Sequence, residues 1–216
     1  MRQKKIELTP KRKSQTGRMT LLGLWLVAGL VAAEPKTVLF FGDSITAGYG
    51  VEPDEAYPAL IQRKIEQAGL PWRVVNAGLS GETTSGGLRR LDWILRQHVD
   101  IFVIELGGND GLRGIAPTLT SSNLTAMIAR IRQRYPDVKL VLVGMQLPTN
   151  MGFEYTREFA AIYPEVAKTG QVVLIPFLLD GVGGVPTLNQ TDGIHPTAEG
   201  HRIVADTVWR TLQPLF

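Results

Sequence analysis

Four short stretches of this 216-residue chain carry side chains that could transfer an acyl group. In "VLFFGDSITAGYG", residues 38–50, an apolar run ends in Gly42, Asp43 and Ser44. A serine so placed is either a helix cap or a nucleophile. A hydroxyl attacks only when a base takes its proton and an acid fixes the tautomer of that base. A glycine-bearing turn of this kind also serves as a phosphate cradle in flavodoxin-like modules, where backbone N–H groups hold the anion. The G-x-S-x-G elbow of other serine hydrolases is absent, and "GLSGE", 78–82, departs from it at Glu82.

A base and an acid stand in "TDGIHPTAEG", residues 191–200, where Asp192 precedes His195 by three positions and Pro196 marks a helix start. The chain has three histidines. His98 falls before an apolar run, at the end of the sheet away from a site, and His201 falls on the final helix. His195 alone lies on a loop where a site is expected. Capping of the following helix is the other reading of Asp192 and His195. In "ELGGNDG", 105–111, Asn109 follows two glycines that let backbone approach a ligand. Acyl transfer builds charge on a carbonyl oxygen, and an amide can donate to it without titrating. A turn role is the alternative for Asn109. "NAGLSGETT", 76–84, adds the backbone N–H of Gly81 as a second candidate donor.

The elements that must position these residues are legible as alternating patterns. Near-continuous apolar runs at 37–41, 72–76, 101–105, 138–143 and 172–177 predict strands buried on both faces. Between them, apolar residues recur at helix spacing: Tyr57, Leu60, Ile61, Ile65 and Ala68; Leu88, Leu91, Ile94 and Leu95; Leu124, Met127, Ile128 and Ile131; Tyr155, Phe159, Ile162 and Val166; and finally Ile203, Val204 and Val208. Five alternations predict a three-layer, flavodoxin-like α/β sandwich, a five-stranded parallel sheet between helices. Its site lies outside the carboxyl ends of the strands, on the loops that begin at Gly42, Ala77, Leu106, Gly144 and Leu178.

The formal charge of +3 is concentrated at the amino terminus. Residues 1–18 hold seven Lys and Arg against Glu7, and "MTLLGLWLVAGLVAA", 19–33, is uncharged. A basic segment, a short apolar run and the small residues Val31-Ala32-Ala33 read as a secretory signal peptide cleaved after Ala33, leaving 34–216 as one domain in the periplasm or outside the cell. An uncleaved anchor is the alternative, although the run is shorter than the roughly 20 residues of a spanning helix. Residues 34–216 carry 16 Lys and Arg against 19 Asp and Glu, a net of −3, with no basic stripe for nucleic acid. The absence of cysteine rules out thiolate metal sites and disulfides, so stability must come from the core.

In order, GDSIT, SGET, GGND and DGIHP resemble the four blocks of the GDSL, or SGNH, hydrolase superfamily, in its bacterial thioesterase I, lysophospholipase and arylesterase branch. The likeness extends over nearly all of 37–213, with Ile45 where the family name has leucine. It implies Ser44 as nucleophile, His195 as base and Asp192 as its orienting acid, with Ser44 N–H, Gly81 N–H and the Asn109 amide as oxyanion hole. Gly78 is the neighbouring alternative to Gly81. The substrate class implied is a carboxylic ester, an acyl thioester or a lysophospholipid, and no cofactor or metal is expected. The apolar loops 111–117 and 147–153 are expected to wall an acyl groove, through Gly111, Leu112, Ile115, Leu147 and Pro148. They weigh against a carbohydrate O-acetylesterase of the same fold. A flavodoxin-like binding module would leave Asp192 and His195 without a role. Amino-terminal sequencing of the exported protein is expected to give a start near Glu34; a soluble cytoplasmic product beginning at Met1 would refute export.

Overall fold

In a computed structural model describing residues 34–216, the five apolar runs lie side by side as one parallel sheet in the order β2-β1-β3-β4-β5. The strands are β1 (Lys36–Gly42), β2 (Trp72–Asn76), β3 (Ile101–Glu105), β4 (Lys139–Val143) and β5 (Val173–Ile175). The leader and cleavage site expected within 1–33 lie outside the described residues. Val38–Phe41 and Ile101–Ile104 have no exposed surface, which explains why β1 and β3 carry no polar alternation. The fifth strand ends at Ile175, two residues before the apolar run does, because Pro176 has no N–H to give the ladder.

Seven helices connect and cover the described sheet: α1 (Ser44–Ala47), α2 (Tyr57–Gln67), α3 (Thr84–Ile94), α4 (Gly108–Leu112), α5 (Pro117–Arg134), α6 (Phe153–Gly170) and α7 (Ala198–Leu212). The apolar stripes are their buried faces: Tyr57, Ile61 and Ile65 on α2, Leu124, Met127, Ile128 and Ile131 on α5, Val204 and Val208 on α7. From β1 the chain moves to β2 on one side, then returns past β1 to β3, β4 and β5. Because parallel crossovers are right-handed, that reversal puts α2 on one face and α3, α5 and α6 on the other. Packing agrees: α2 contacts α7, while α5 contacts both α3 and α6. The reversal leaves a crevice between the carboxyl ends of β1 and β3, the switch point where ligands bind in such sheets. No helix among the described residues is long and apolar enough to cross a membrane.

One side chain in the α2–α7 layer is unusual. His201 is fully buried, its ring lies nearly parallel to that of Tyr57 (14°, centroids 6.3 Å apart), and its Nδ1 accepts from the Tyr57 N–H at 3.3 Å. Its Nε2 has no partner among the described residues. Burial and then the proximity of His195 push its pKa from 6.5 down to about 4, so the folded protein resists protonating it while the unfolded chain does not. This contribution to stability is complete above pH 6.5 and is lost as the pH falls through about 4. His201→Gln keeps an acceptor and removes the titration. Relative to that variant, the wild type is expected to lose on the order of 3 kcal/mol across this window. Parallel pH profiles in chemical denaturation would show that His201 is not the group responsible.

Candidate active site

The turn after β1 is shaped from below. Gly42 pairs with Glu105 across β1 and β3, and a Cβ at Gly42 would lie 2.1 Å from Thr46 Oγ1 and 2.5 Å from Glu105 Oε2. Only glycine admits that buried carboxyl. Glu105 Oε2 accepts from the Asp43 N–H (3.3 Å) and from the Thr46 hydroxyl (2.7 Å), which lies 2.7 Å from the Tyr57 hydroxyl. Burial, and then the nearby Asp43, hold the Glu105 carboxyl well above its ordinary range, which favours the neutral acid.

Asp43, not Ser44, caps α1: its Oδ1 accepts from the Ile45 N–H at 3.0 Å. Ser44 is the first helical residue, and its Oγ lies 2.8 Å from His195 Nε2. His195 Nδ1 lies 2.7 Å from Asp192 Oδ2, while Asp192 Oδ1 accepts from the Ile194 and His195 N–H groups at 2.9 and 3.0 Å. Nor do Asp192 and His195 cap the final helix, which starts at Ala198 rather than Pro196 with Thr197 as its cap. Burial alone would raise Asp192; the hydrogen bonds from His195 and Ile194 outweigh it and bring the pKa down to about 2. An ionised Asp192 favours a proton on His195 Nδ1, which leaves the Nε2 lone pair to accept the Ser44 proton.

The remaining candidates come from the loops after β2 and β3. Asn109, on α4, donates from Nδ2 to Asp43 Oδ2 at 3.1 Å, using one amide hydrogen and keeping a second. Burial drives Asp43 up to about 6 against the hydrogen bond from Ile45, the charge of His195 and the Asn109 amide. A carboxyl at this position opposes the phosphate that a flavodoxin-like cradle would hold. The loop bearing Gly81 is tied to the same turn: Leu79 N–H donates to Gly42 O, and Arg90 Nη2 donates to both Gly42 O and Ala77 O. Arg90 Nε meets Glu82 Oε2 at 2.5 Å. Gly81 lines the cavity with Ser44 and Asn109, whereas Gly78 is pressed against the backbone of Ala47 and does not.

These residues open into one cavity of about 590 Å³, within the range of small-molecule sites. Leu112, Leu147 and Pro148 line it, as expected; Gly111 and Ile115 do not. Their carbonyls accept from the Tyr155 hydroxyl at 3.1 and 2.8 Å, and Gly111 lies behind Leu147, whose side chain packs against it. Tyr49, Met145, Phe177, Leu179 and Ile194 are wall residues that the sequence pattern does not single out. No cluster of three or more His, Asp or Glu among the described residues is placed to hold a metal ion.

Comparison with known proteins gives a consistent result. Residues 40–203 match the GDSL-like Lipase/Acylhydrolase family. The chain is 43% identical over 185 residues to Esterase TesA of Pseudomonas aeruginosa, covering 85% of this chain and 91% of that one. It is 40% identical over 185 residues to the thioesterase 1/protease 1/lysophospholipase L1 of Escherichia coli, covering 85% and 86%. The crystal structure of TesA superposes with a TM-score of 0.80 at 43% identity, covering 84% of this chain and all of that one.

If Asn109 stabilises an oxyanion, Asn109→Ala lowers kcat on the order of 10²–10³ with little change in KM. A turn role would instead lower Tm and leave kcat per folded molecule intact, so both are to be measured on one sample.

Proposed function

Because this chain belongs to the GDSL-like lipase/acylhydrolase family, we propose that it is an exported serine acyl-hydrolase that cleaves carboxylic esters and acyl thioesters through an acyl-Ser44 intermediate. The observation that carries this reading is the continuous chain of contacts from Ser44 Oγ to His195 to Asp192, at 2.8 and 2.7 Å. In the first step Ser44 Oγ bonds to the substrate carbonyl carbon as its proton passes to His195 Nε2. The charge that develops on the carbonyl oxygen is met by the N–H groups of Ser44 and Gly81 and by the Asn109 amide. Breakdown expels the alcohol or thiol, which takes the proton from His195. Water then attacks the acyl carbon with His195 again as base, and the acid and free Ser44 result. Throughout, Asp192 stays ionised and stabilises the imidazolium at Nδ1; its pKa near 2 keeps it so at neutral pH.

The acyl chain is assigned to the apolar wall formed by Met145, Leu147, Pro148, Phe177 and Leu179. Each methylene buried there is worth about 0.8 kcal/mol, so kcat/KM is expected to rise about fourfold per methylene until the wall is covered. Nitrophenyl esters and acyl thioesters of graded length test this, with Ser44→Ala as the control. That variant is expected to lose both hydrolysis and covalent labelling by a fluorophosphonate. Hydrolysis retained in Ser44→Ala would end the nucleophile assignment. A profile that peaks at acetyl groups on carbohydrate would replace the acyl groove with the sugar-ester reading.

A further inference from the structure

Ser44 and His195 are 151 residues apart in sequence and come from unrelated elements. The serine sits at the end of a central strand, fixed by the sheet. The histidine sits on the long connection from β5 to α7, whose one β-type pairing among the described residues is an isolated bridge between Asn189 and Pro196. A hydrogen bond between nucleophile and base fails with small displacements, so some contact must set the distance between these two loops.

Gln190 makes that contact. Its Nε2 donates to the Tyr49 carbonyl at 2.7 Å and to the Pro196 carbonyl at 3.0 Å. Its backbone N–H donates to the His195 carbonyl at 2.7 Å, and its own carbonyl accepts from Gly193 at 2.9 Å. The far end of this bridge leads directly to the nucleophile, because the Tyr49 N–H donates to the Ser44 carbonyl at 2.9 Å. The Tyr49 ring also rests against the His195 ring, centroids 4.6 Å apart. Space for the amide exists only because residue 50 is glycine: a Cβ there would lie 2.2 Å from Gln190 Oε1. Both acceptors are neutral carbonyls on different loops. A primary amide carries the two hydrogens they require, and a carboxylate of the same shape carries none.

Resting on the assignment of Ser44 and His195 as nucleophile and base, we propose that Gln190 is a positioning residue that sets the Ser44–His195 distance by joining the loop after α1 to the loop that carries the histidine. It touches neither substrate nor reacting atoms. Its effect therefore falls on the chemical step rather than on ester binding.

The test uses Gln190→Met, which keeps the length and loses both donors, and Gln190→Glu, which keeps the shape and replaces donors with acceptors. In each, kcat and the rate of fluorophosphonate labelling of Ser44 are expected to fall about 10- to 100-fold, the scale of an ångström misplacement. KM should stay within about twofold. The deshielded proton resonance of the His195–Asp192 hydrogen bond, followed by NMR, should broaden in a protein whose Tm shows it to be folded. Wild-type kcat in folded Gln190→Met would overturn the proposal, as would a loss of kcat that only follows the unfolded fraction. The underlying assignment fails separately, if Ser44→Ala retains activity or labelling while Gln190 is intact.

Discussion

The pairing of Gly42 with Glu105, at the carboxyl ends of the two central strands, is the constraint on which the rest of the site depends. In parallel register both strands leave the sheet at one level, so Asp43-Ser44 and Gly107-Gly108-Asn109 depart from adjacent points. Glu105 then fills the space beneath the first of these turns and holds the Asp43 N–H and the Thr46 hydroxyl. A charged carboxylate in this fully buried place would be costly, and the upward displacement of its pKa relieves much of that cost by favouring the neutral acid. Its Oε1 has no partner among the described residues. The turn that presents the serine is thus built upon a buried acid.

Two aspartates beside that turn show how environment divides the work of one side chain. Asp43 is buried and rises to about 6; Asp192 collects two backbone hydrogen bonds and the imidazole and falls to about 2. Desolvation governs the first and hydrogen bonding to the charged form governs the second. The firmly ionised carboxylate stands at His195 Nδ1, on the far side of the ring from Ser44, where it can orient the imidazole. The buried one orients the Asn109 amide and the start of α1.

The site also joins two kinds of support. Ser44 and Asn109 leave strands whose ladders and apolar neighbours hold them firmly. His195 belongs to a stretch with little regular pairing, and side-chain amides take over the work of a ladder there. Asn189 donates to the Val182 and Val185 carbonyls and Gln190 to those of Tyr49 and Pro196. Buried carbonyls must find donors somewhere, and a loop that finds them in its own amide side chains acquires a defined shape without becoming a strand.

The sequence by itself determined the layers and pointed to the loops that carry the candidate site. Continuous short apolar runs favour strands buried on both faces, and stripes at helix spacing favour inward faces, because the pattern of apolar residues is a local property of each segment. Ser44, Asp192, His195, Asn109 and Gly81 were legible as candidates because their loops follow from the order of strands; residue type alone left cap and turn roles open, and the resemblance of the four blocks to the family chose between them. What the tertiary structure decided was every relation between segments. It made Asp43 and Thr197 the helix caps, so that Ser44 and His195 remain available to each other. It turned the Gly111 and Ile115 carbonyls toward Tyr155 and away from the cavity. It gave Glu105 and Gln190 their places, although each reads in sequence as an ordinary polar residue ending an apolar run or beginning a loop. The Ile115–Tyr155, Thr46–Glu105, Tyr49–Gln190 and Ser44–His195 hydrogen bonds join residues 40 to 151 positions apart, and no local pattern encodes their geometry.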